Sequence, residues 1–480
     1  MSTGKVNNKV SYIHVAIMLI LTFGIGFLPP FGQITEMGMK VLGVFAGLIY
    51  GWIFIDLLWT SLFGFVALGL TGQTTVMGAF ASGFGNATLL ICLVVAVFSE
   101  ALNRIGITQT IAYWLLSRKM FVGRPWLLVF AICFITIILG VAGGSFAAVF
   151  LLWNVVITIG ELGGYKKGAP IISLLIGMIL FLGFGGGQIV PFQSAPLLYA
   201  GFMPAGFEIQ AVPFFVLGLI EISAVGVIML LVAKFILKVD ASNFVLTEEL
   251  SNQYAQIKSN KYQKAGLILL VAYFIVLFMP SLFPTAPFSP LLSSIGIMGF
   301  SFIYIFIFAA WKKEDGESVI DVLECFKHGI PWAVMALFAV TFPLSSALQS
   351  PDTGVLATIN ATFVPMFSSL SPGVFLIACA IVLGLITQVL HNVVLAAIFM
   401  PFLAPVYATM GGDLHTFYMV LYLVLQAAYA TPAGCMAAGL LFGHEQVTTK
   451  NAYLFGGMFV IVNMIVVLCM IPAFNMFFAG

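Results

Sequence analysis

The sequence predicts an all-α polytopic membrane protein with about 11 transmembrane helices and two re-entrant hairpins arranged in inverted repeats. The first observation behind this class is composition: 62% of the 480 residues are hydrophobic and 7% are charged. Charge is therefore too sparse to cover the surface of a soluble protein of this length. The second observation is that the apolar runs exceed about 18 residues and do not alternate with polar residues, which favours helices over a barrel.

Apolar segments follow one another along the whole chain, and each predicts helical structure. Two of them, 127–160 and 372–408, are too long for a single crossing and are interrupted by polar residues. We interpret these two as hairpins that enter and leave the membrane on the same side. The remaining segments predict crossings at roughly 12–28, 38–55, 57–71, 88–104, 168–202, 210–238, 262–280, 290–311, 331–349, 415–443 and 452–476.

The distribution of basic residues is the third observation, and it predicts the orientation. With the amino terminus in the cytoplasm, all but one of the 18 Lys and Arg residues fall on the cytoplasmic side, either in loops or at the cytoplasmic ends of crossings, the exception being Lys40. Lys and Arg are enriched in the cytoplasmic loops of membrane proteins. The sequence therefore predicts a multi-pass protein of the cell (inner) membrane, with a cytoplasmic amino terminus and an extracytoplasmic carboxyl terminus.

The two halves of the chain share one order of segments. After the first span, each half consists of three crossings, a hairpin and two crossings. Inverted repeats with broken helices are typical of secondary transporters, which bind substrate near the membrane midplane. The predicted domains are a tail with the first span (1–37), a first repeat (38–239, with hairpin 127–160 and broken helix 168–202), a cytoplasmic linker (240–261) and a second repeat (262–480, with hairpin 372–408 and broken helix 415–443).

Each hairpin carries polar or small residues at the point where it turns. Hydrocarbon cannot satisfy polar groups, so side chains at such tips must face protein, a ligand or trapped water. One tip in each half predicts a binding site between the repeats. The tips are Gly143-Gly144-Ser145 in the first hairpin and Gln388, His391 and Asn392 in the second.

The crossing after each hairpin is expected to unwind. Segments 181–202 (FLGFGGGQIVPFQSAPLLYAGF) and 426–443 (QAAYATPAGCMAAGLLFG) combine Gly, which permits positive φ, with Pro, which cannot continue a helix interior. Unwinding exposes backbone carbonyls that suit a cation and half-helix amino termini that suit an anion. The alternative is that each segment is a kink without a ligand. Because such a segment occurs at the equivalent place in both halves, the binding role is favoured.

Three motifs and two longer segments resemble those of a known transporter family. LHNVVLAAIFMPF (390–402) resembles a Ser-Asn-Thr hairpin motif, ATPAGC (430–435) a Thr-Pro-Pro-Asn break, and GGQIVPFQSAPLL (186–198) the matching first break. The segments before each hairpin resemble a crossing followed by a surface-lying arm helix. Together they resemble the divalent-anion/sodium symporters of the ion-transporter superfamily. That family transports dicarboxylates, citrate or sulfate together with sodium. Membership would imply a homodimer in which the hairpins and broken helices form a transport domain that moves against a fixed scaffold.

The resemblance implies a set of site residues, with departures from the family pattern. The first hairpin motif has lost its Asn, and the second has His391 in place of Ser. The predicted substrate-binding residues are Ser145, Gln193, Ser194, His391, Asn392, Thr431 and Pro432. The predicted cation-binding residues are Gly144, Ser145, Gly187, Asn392 and Ala430.

The coupling ion is expected to be Na⁺ or H⁺. A hard cation requires several oxygen ligands, and the first hairpin supplies fewer than the family pattern. An imidazole titrates near physiological pH, so His391 is a candidate for proton coupling. The alternative keeps His391 neutral, with sodium bound through Asn392 and backbone carbonyls. No resident cofactor or metal site is expected, because the six cysteines show no metal-ligand spacing.

Two carboxylates, Glu100 and Glu221, lie within predicted crossings. A carboxylate inside a membrane segment is a candidate functional group. The alternative is a protonated side chain that contacts a neighbouring helix or a partner subunit. The sequence leaves the roles of both residues open.

The sequence predicts a secondary active transporter of a small organic or inorganic anion, similar to a di- or tricarboxylate. Transport is expected to be cation-coupled or by exchange, with elevator-type alternating access. One alternative is a transporter of a neutral polar solute, and another is an intramembrane enzyme acting on a lipid or its head group. The enzyme is disfavoured by the lack of HExxH and Walker A motifs and by only five His. Nucleic acid is not an expected partner, because the chain has no basic patch.

Overall fold

The computed structural model describes residues 8–143, 145–204, 206–283, 285–367, 370–432 and 434–478. These residues form helices throughout, and beyond two isolated bridges they form no strand. The helices of the first half are α1 (Asn8–Leu19), α2 (Glu36–Phe54), α3 (Leu57–Gly69), α4 (Val76–Phe84), α5 (Ala87–Ile105), α6 (Ile107–Leu116), α7 (Pro125–Val141), α8 (Ser145–Leu162), α9 (Pro170–Gln188), α10 (Ser194–Ala200), α11 (Ala211–Leu231) and α12 (Glu248–Gln256). Those of the second half are α13 (Lys261–Leu282), α14 (Ser289–Ala310), α15 (Val322–Gly329), α16 (Trp332–Gln349), α17 (Val355–Phe367), α18 (Pro372–Ile386), α19 (Asn392–Thr409), α20 (Leu414–Gln426), α21 (Met436–Gly443) and α22 (Thr449–Phe478).

Nine helices of the described chain are long and apolar enough to cross a membrane. Eight of them lie in segments that the sequence assigns to crossings, and the ninth, α19, is the returning helix of the second predicted hairpin. The other three predicted crossings contain shorter apolar helices, Tyr12–Phe27, Leu57–Gly69 and Leu414–Gln426. The predicted class, an all-α polytopic membrane protein, is confirmed. The boundaries of the repeats stay a prediction.

The helix that precedes each hairpin bends at a glycine into a shorter helix. Gly106, with φ at 86°, separates α5 from α6. In the second half, Gly354, with φ at 65°, separates α17 from the 3₁₀ turn Pro351–Thr353 that follows α16. Positive φ is strained for residues with a Cβ and open to glycine. Both bends therefore rely on glycine, and they produce the pairs of helices that the sequence predicts before each hairpin.

The first hairpin packs closely against the first broken helix. A Cβ on Gly140 of α7 would overlap the carbonyl oxygen of Gly183 on α9, and a Cβ on Gly186 would overlap the carbonyl oxygen of Ile137. The two backbones are therefore in direct contact. α9 is the most enclosed of the nine long helices: 83% of its membrane-length window is buried, against 22% for α13 and for α14. This helix leads directly to the first break.

The buried apolar side chains form two clusters, and both broken helices pass from one to the other. Core A includes side chains of α2, α3, α5, α16, α19 and α20, and core B includes side chains of α7, α8, α9, α11 and α22. α9 belongs to core B, whereas α10, beyond the first break, contributes Leu198 and Tyr199 to core A. α20 belongs to core A, whereas α21 contributes Leu441 to core B. The breaks therefore lie at the boundary between the two cores.

Three short helices were not predicted from the sequence: α4, α15 and, inside the predicted linker, α12. The side chain of Thr247 accepts the backbone N–H of Leu250 and so caps the start of α12. Tyr254 on this helix stacks on Tyr113 of α6. The linker is thus partly ordered and docks on the first half of the chain.

Candidate functional site

Gln388 joins the second tip to the second break. Its Nε2 donates to the carbonyl oxygens of Gly384 at 2.8 Å and Ala427 at 3.0 Å, and its Oε1 accepts the N–H of Ala430 at 2.9 Å. The backbone oxygen of Gln388 accepts a hydrogen bond from the hydroxyl of Thr431. The side chain is 7% exposed. Gln388 therefore provides hydrogen-bond partners for backbone groups of the unwound segment, which have no helical partners there.

Asn392 forms a second link between the same two segments. Its Nδ2 donates to Oε1 of Gln426 at 2.7 Å, and its own N–H donates to the carbonyl of Gly434 at 3.2 Å. Its Oδ1 accepts the N–H of Val393 at 2.9 Å, at the start of α19. This predicted ligand residue is therefore held by a buried amide pair. Gln426 was not among the predicted site residues, because its partner is 34 positions away in the chain.

His391 stands immediately before α19, in the N-cap position, and its side chain forms no capping bond. Its Nδ1 is buried and has no hydrogen-bond partner among the described residues. A buried polar atom without a partner is costly, so a bound ligand or water would stabilise it. The ring nitrogen lies at the start of α19, where the first turn of N–H groups attracts anions.

The first tip also contacts the first break. Gly143 has φ at 85°, and a Cβ there would lie 3.4 Å from Oγ of Ser99 and 3.6 Å from Nε2 of Gln193. Oγ of Ser99 is buried without a partner among the described residues. Gly144 lies outside the described residues, and so does the side chain of Ser145, whose backbone begins α8. The predicted residue Gln193 thus lies beside the tip.

α20 connects the two breaks through two buried tyrosines. The hydroxyl of Tyr422 donates to the carbonyl of Gln188 at 2.8 Å, and that of Tyr418 donates to the carbonyl of Pro196 at 2.6 Å. These carbonyls lie on either side of the first break. The fold thus ties both tips and both breaks into one region, although neither tyrosine was predicted as a site residue.

The other predicted residues lie on the two breaks. The carbonyl of Gly187 accepts the N–H of Val190 at 3.3 Å, and the carbonyl of Ser194 is 3.9 Å from Sγ of Cys92. Pro432 is exposed, next to Thr431. α10, which begins at Ser194, packs against α19 and α20. The first break therefore also reaches the helix that returns from the second tip.

A cavity of about 960 Å³ lies in the described part of the chain, and none of the predicted site residues lines it. It is enclosed by the segment that leads into α5, the residues after α10, and the end of α16. Amides and hydroxyls line much of it, including Gln73, Ser82, Asn86, Ser345 and Gln349, and no Lys or Arg of the described chain lines it. We name it the vestibule. The sequence did not predict it, because its lining comes from three separate parts of the chain.

The two membrane carboxylates have different surroundings. Glu100 accepts a hydrogen bond from Nε of Arg104 at 2.7 Å, one helical turn away, and Glu324 of α15 lies 3.9 Å from the same guanidinium. Glu221 is 2% exposed, and its Oε1 has no hydrogen-bond partner among the described residues. Glu100 is therefore explained by an ion pair at the end of α5, and Glu221 is not. Within the described residues, no group of three or more His, Cys, Asp and Glu side chains is arranged to hold a metal ion.

Comparisons with known proteins agree with this architecture. The sequence profile of the CitMHS family, described as citrate transporter, matches residues 41–423. The structure is similar to that of the Alcanivorax borkumensis YdaH transporter, with a TM-score of 0.58 and 13% sequence identity over 98% of this chain and 97% of that one. At that identity the similarity shows the fold. The search of curated proteins gave no match.

The profile match covers most of the chain and includes both tips and the first break. The sequence resemblance to divalent-anion/sodium symporters is confirmed at the level of a transporter of the ion-transporter superfamily. The intramembrane enzyme considered above is set aside, because the family and the fold are those of transport proteins. This chain belongs to the CitMHS citrate transporter family.

Proposed function

We propose that this protein is a secondary active transporter of di- and tricarboxylates of the citrate type. The observation that carries the proposal is the meeting of both polar tips with both helix breaks at the boundary of two cores. His391 contributes a buried ring nitrogen without a partner among the described residues, at the start of α19. The family match supports the same substrate class, because the family whose profile matches residues 41–423 is described as citrate transporter.

Helix amino termini supply the attraction for the anion. α8 begins at the first tip, α19 at the second tip and α21 at the second break. The N–H groups of a first turn carry partial positive charge, which attracts carboxylates. At α19 the N–H groups of Asn392 and Val393 already have acceptors in this conformation, so the attraction there comes from the helix dipole. The tips and breaks contain no Lys or Arg in the sequence. Binding by dipoles, hydroxyls and amides is weaker than an ion pair, which suits a site that must also release its substrate.

The predicted residues divide into two roles. The residues that would contact the substrate are Ser145, Gln193, Ser194, His391, Asn392, Thr431 and Pro432. A coupling cation would be held by backbone oxygens near Gly144, Gly187 and Ala430, by the side chain of Asn392 and by Ser145. Several carbonyls of the breaks already accept hydrogen bonds from tyrosine and glutamine side chains. The first hairpin also lacks the Asn of the family pattern and so offers fewer oxygen ligands for sodium, which favours a proton as the coupling ion.

The proposal extends to the mechanism and the assembly. Elevator-type movement of the hairpins and broken helices against the remaining helices is supported by the resemblance to symporters with that mechanism. A homodimer in the inner membrane, with a cytoplasmic amino terminus, completes the proposal. The vestibule would be the route by which substrate approaches from outside, since the topology derived from the basic residues puts its lining segments there.

A neutral polar solute is the second candidate substrate, because amides and hydroxyls line the vestibule without Lys or Arg. Uptake into proteoliposomes separates the two candidates. Labelled citrate, succinate, sulfate and a polyol are offered under separately imposed sodium and proton gradients. We expect citrate and related carboxylates to accumulate and the polyol not to accumulate. Accumulation of the polyol alone would reject the proposal.

A further inference from the structure

Glu221 lies at the centre of α11, in a part of the protein that the proposed site does not use. The helix runs from Ala211 to Leu231, so ten residues stand on either side of the carboxyl. Its side chain is 2% exposed, and Oε1 has no hydrogen-bond partner in the described chain. A carboxyl group in such a position is normally paired, because an unpaired charge in an apolar interior is costly. The absence of a counter-ion within the described part of the chain needs an explanation.

Glu221 is one of the residues that line a small cavity. The cavity holds about 20 Å³ and lies between α11, α9, the end of α20 and α22. The side chains of Gln188, Gln426 and Asn463 line it together with Glu221. A polar cavity of roughly 10–15 Å³ is large enough for one water molecule. Amide oxygens of this kind accept a hydrogen bond from a protonated carboxyl group.

No charged group of the described chain compensates Glu221 across this cavity. Tyr429 is the other titratable side chain in its lining. α9 carries no titratable side chain, and Cys133 of α7 lies against a different face of α11, beside Gly226. Three other helices of the described chain contact α11, and none of their titratable residues lines either cavity. These residues are Lys261, Tyr262, Lys264 and Tyr273 of α13, His415, Tyr418 and Tyr422 of α20, and Lys450, Tyr453 and Cys469 of α22. Lys234, in the turn that continues α11, does not line them either. The surroundings therefore favour the neutral, protonated carboxyl in this conformation.

One hydrogen bond joins the cavity to the proposed substrate site. Gln426 lines the cavity, and its Oε1 accepts the hydrogen bond of Asn392 at 2.7 Å. Asn463 is fixed on the other side by donating to the carbonyl of Leu423 at 3.3 Å. A substrate that takes over the amide of Asn392 would release Gln426. The hydrogen bonds available to Glu221 would then change with substrate occupancy.

We propose that Glu221 is the residue that carries the coupled proton, and that Gln426 links its protonation to substrate binding at Asn392. The step is a simple acid dissociation: the carboxyl O–H bond breaks and the proton passes to a water molecule that reaches the cavity. Uptake on the other side of the membrane reverses the step. By reciprocity, substrate binding and proton binding favour each other to the same degree. The inference rests on the proposed function, because it assigns the coupling of that transporter.

The first test does not depend on transport. Infrared difference spectra of the purified protein across a pH titration report the carbonyl stretch of protonated carboxyl groups. We expect such a band in the wild type at neutral pH, its loss in Glu221→Gln and its retention in Glu100→Gln. Glu100 is the matched control, because it is the other carboxylate within a crossing and is paired with Arg104. A wild-type band that persists in Glu221→Gln, or no band at all, would overturn the inference.

The second test separates coupling from movement of substrate. One coupled proton supports up to about tenfold accumulation per unit of pH gradient, since one pH unit is a factor of ten in proton activity. We expect Glu221→Gln to lose this accumulation and the pH dependence of uptake, while exchange of internal for external substrate falls far less. Glu100→Gln should keep both. Accumulation by Glu221→Gln at the wild-type level, or accumulation driven by sodium alone, would reject the proton role of Glu221.

The two tests distinguish failure of this inference from failure of the proposed function. If the wild type neither exchanges nor accumulates any carboxylate, the proposed function is wrong, whatever the infrared spectra show. If the wild type transports carboxylates and Glu221→Gln remains proton-driven, the function stands and the assignment of Glu221 is wrong.

Discussion

At the scale of single residues, the site is a set of buried amides that hold unwound backbone in place. Gln388 and the pair formed by Asn392 and Gln426 join the second tip to the second break. Each of these side chains is buried, so water cannot reach it and its hydrogen bonds must come from other protein groups. Loss of one partner leaves the other unsatisfied, which costs about 1–3 kcal/mol.

Substitution of Asn392 or Thr431 by Ala is expected to reduce transport sharply while the protein still folds. Each change removes a hydrogen bond between tip and break, and about 1–3 kcal/mol corresponds to roughly tenfold or more in apparent affinity. Thr409→Ala is the matched control. It removes a hydroxyl that donates to the carbonyl of Val406 at 2.7 Å, at the far end of the same helix. Uptake kinetics measure the effect, and wild-type kinetics in Asn392→Ala would locate the site elsewhere.

The sequence identified the polar residues of the second tip, because side chains such as His391 and Asn392 are conspicuous in an apolar run. It could not identify Gln426 as the partner of Asn392, or Tyr418 and Tyr422 as donors to the carbonyls of the first break. Those contacts join positions that are far apart in the chain, and a single sequence carries no signal for such pairs. The pairing of Glu100 with Arg104 was within reach, since residues four apart on a helix are neighbours.

At the scale of elements, glycines determine how closely the first hairpin approaches the first broken helix. α7 and α9 meet at Gly140 and Gly183, where a single methyl group would collide with backbone. Small residues at such contacts allow membrane helices to pack backbone against backbone. The position of the first tip beside Gln193 depends on this contact.

Gly140→Ala is expected to destabilise the protein by about 1–3 kcal/mol, the usual cost of overpacking. Gly457→Ala on α22 is the matched control, because a Cβ there would meet no atom within 4 Å. Alanine is the better helix former, so the control should be neutral or slightly stabilising. Thermal unfolding in detergent measures both variants. Equal melting temperatures for Gly140→Ala and the wild type would contradict the close packing.

Most helices were predicted from the sequence within a few residues, because long apolar runs leave few alternatives. The short helices α4 and α15 were missed, since nine and eight residues give little periodicity. α12 was missed because the linker is polar, although Thr247 followed by Glu248 and Glu249 is a signal for a helix start.

At the scale of the whole molecule, the vestibule and the orientation of the chain are linked. If the amino terminus is cytoplasmic, the vestibule opens to the outside, and the linker that contains Lys258 lies inside. We expect Gln349→Cys, in the vestibule, to react with an impermeant thiol reagent on intact cells and Lys258→Cys to react only after the membrane is opened. Both are made in a variant whose own six cysteines have been replaced. The reverse labelling would overturn the orientation and the predicted course of the hairpins with it.

The central claim is that this chain moves carboxylate anions through a site formed by its tips and breaks. Counterflow tests it most directly: proteoliposomes loaded with unlabelled citrate are diluted into trace labelled citrate, without an ion gradient. The account predicts a transient accumulation of label that is abolished in Asn392→Ala and retained in Thr409→Ala. No counterflow of citrate or of related carboxylates by the wild type, or equal counterflow in wild type and Asn392→Ala, would contradict it.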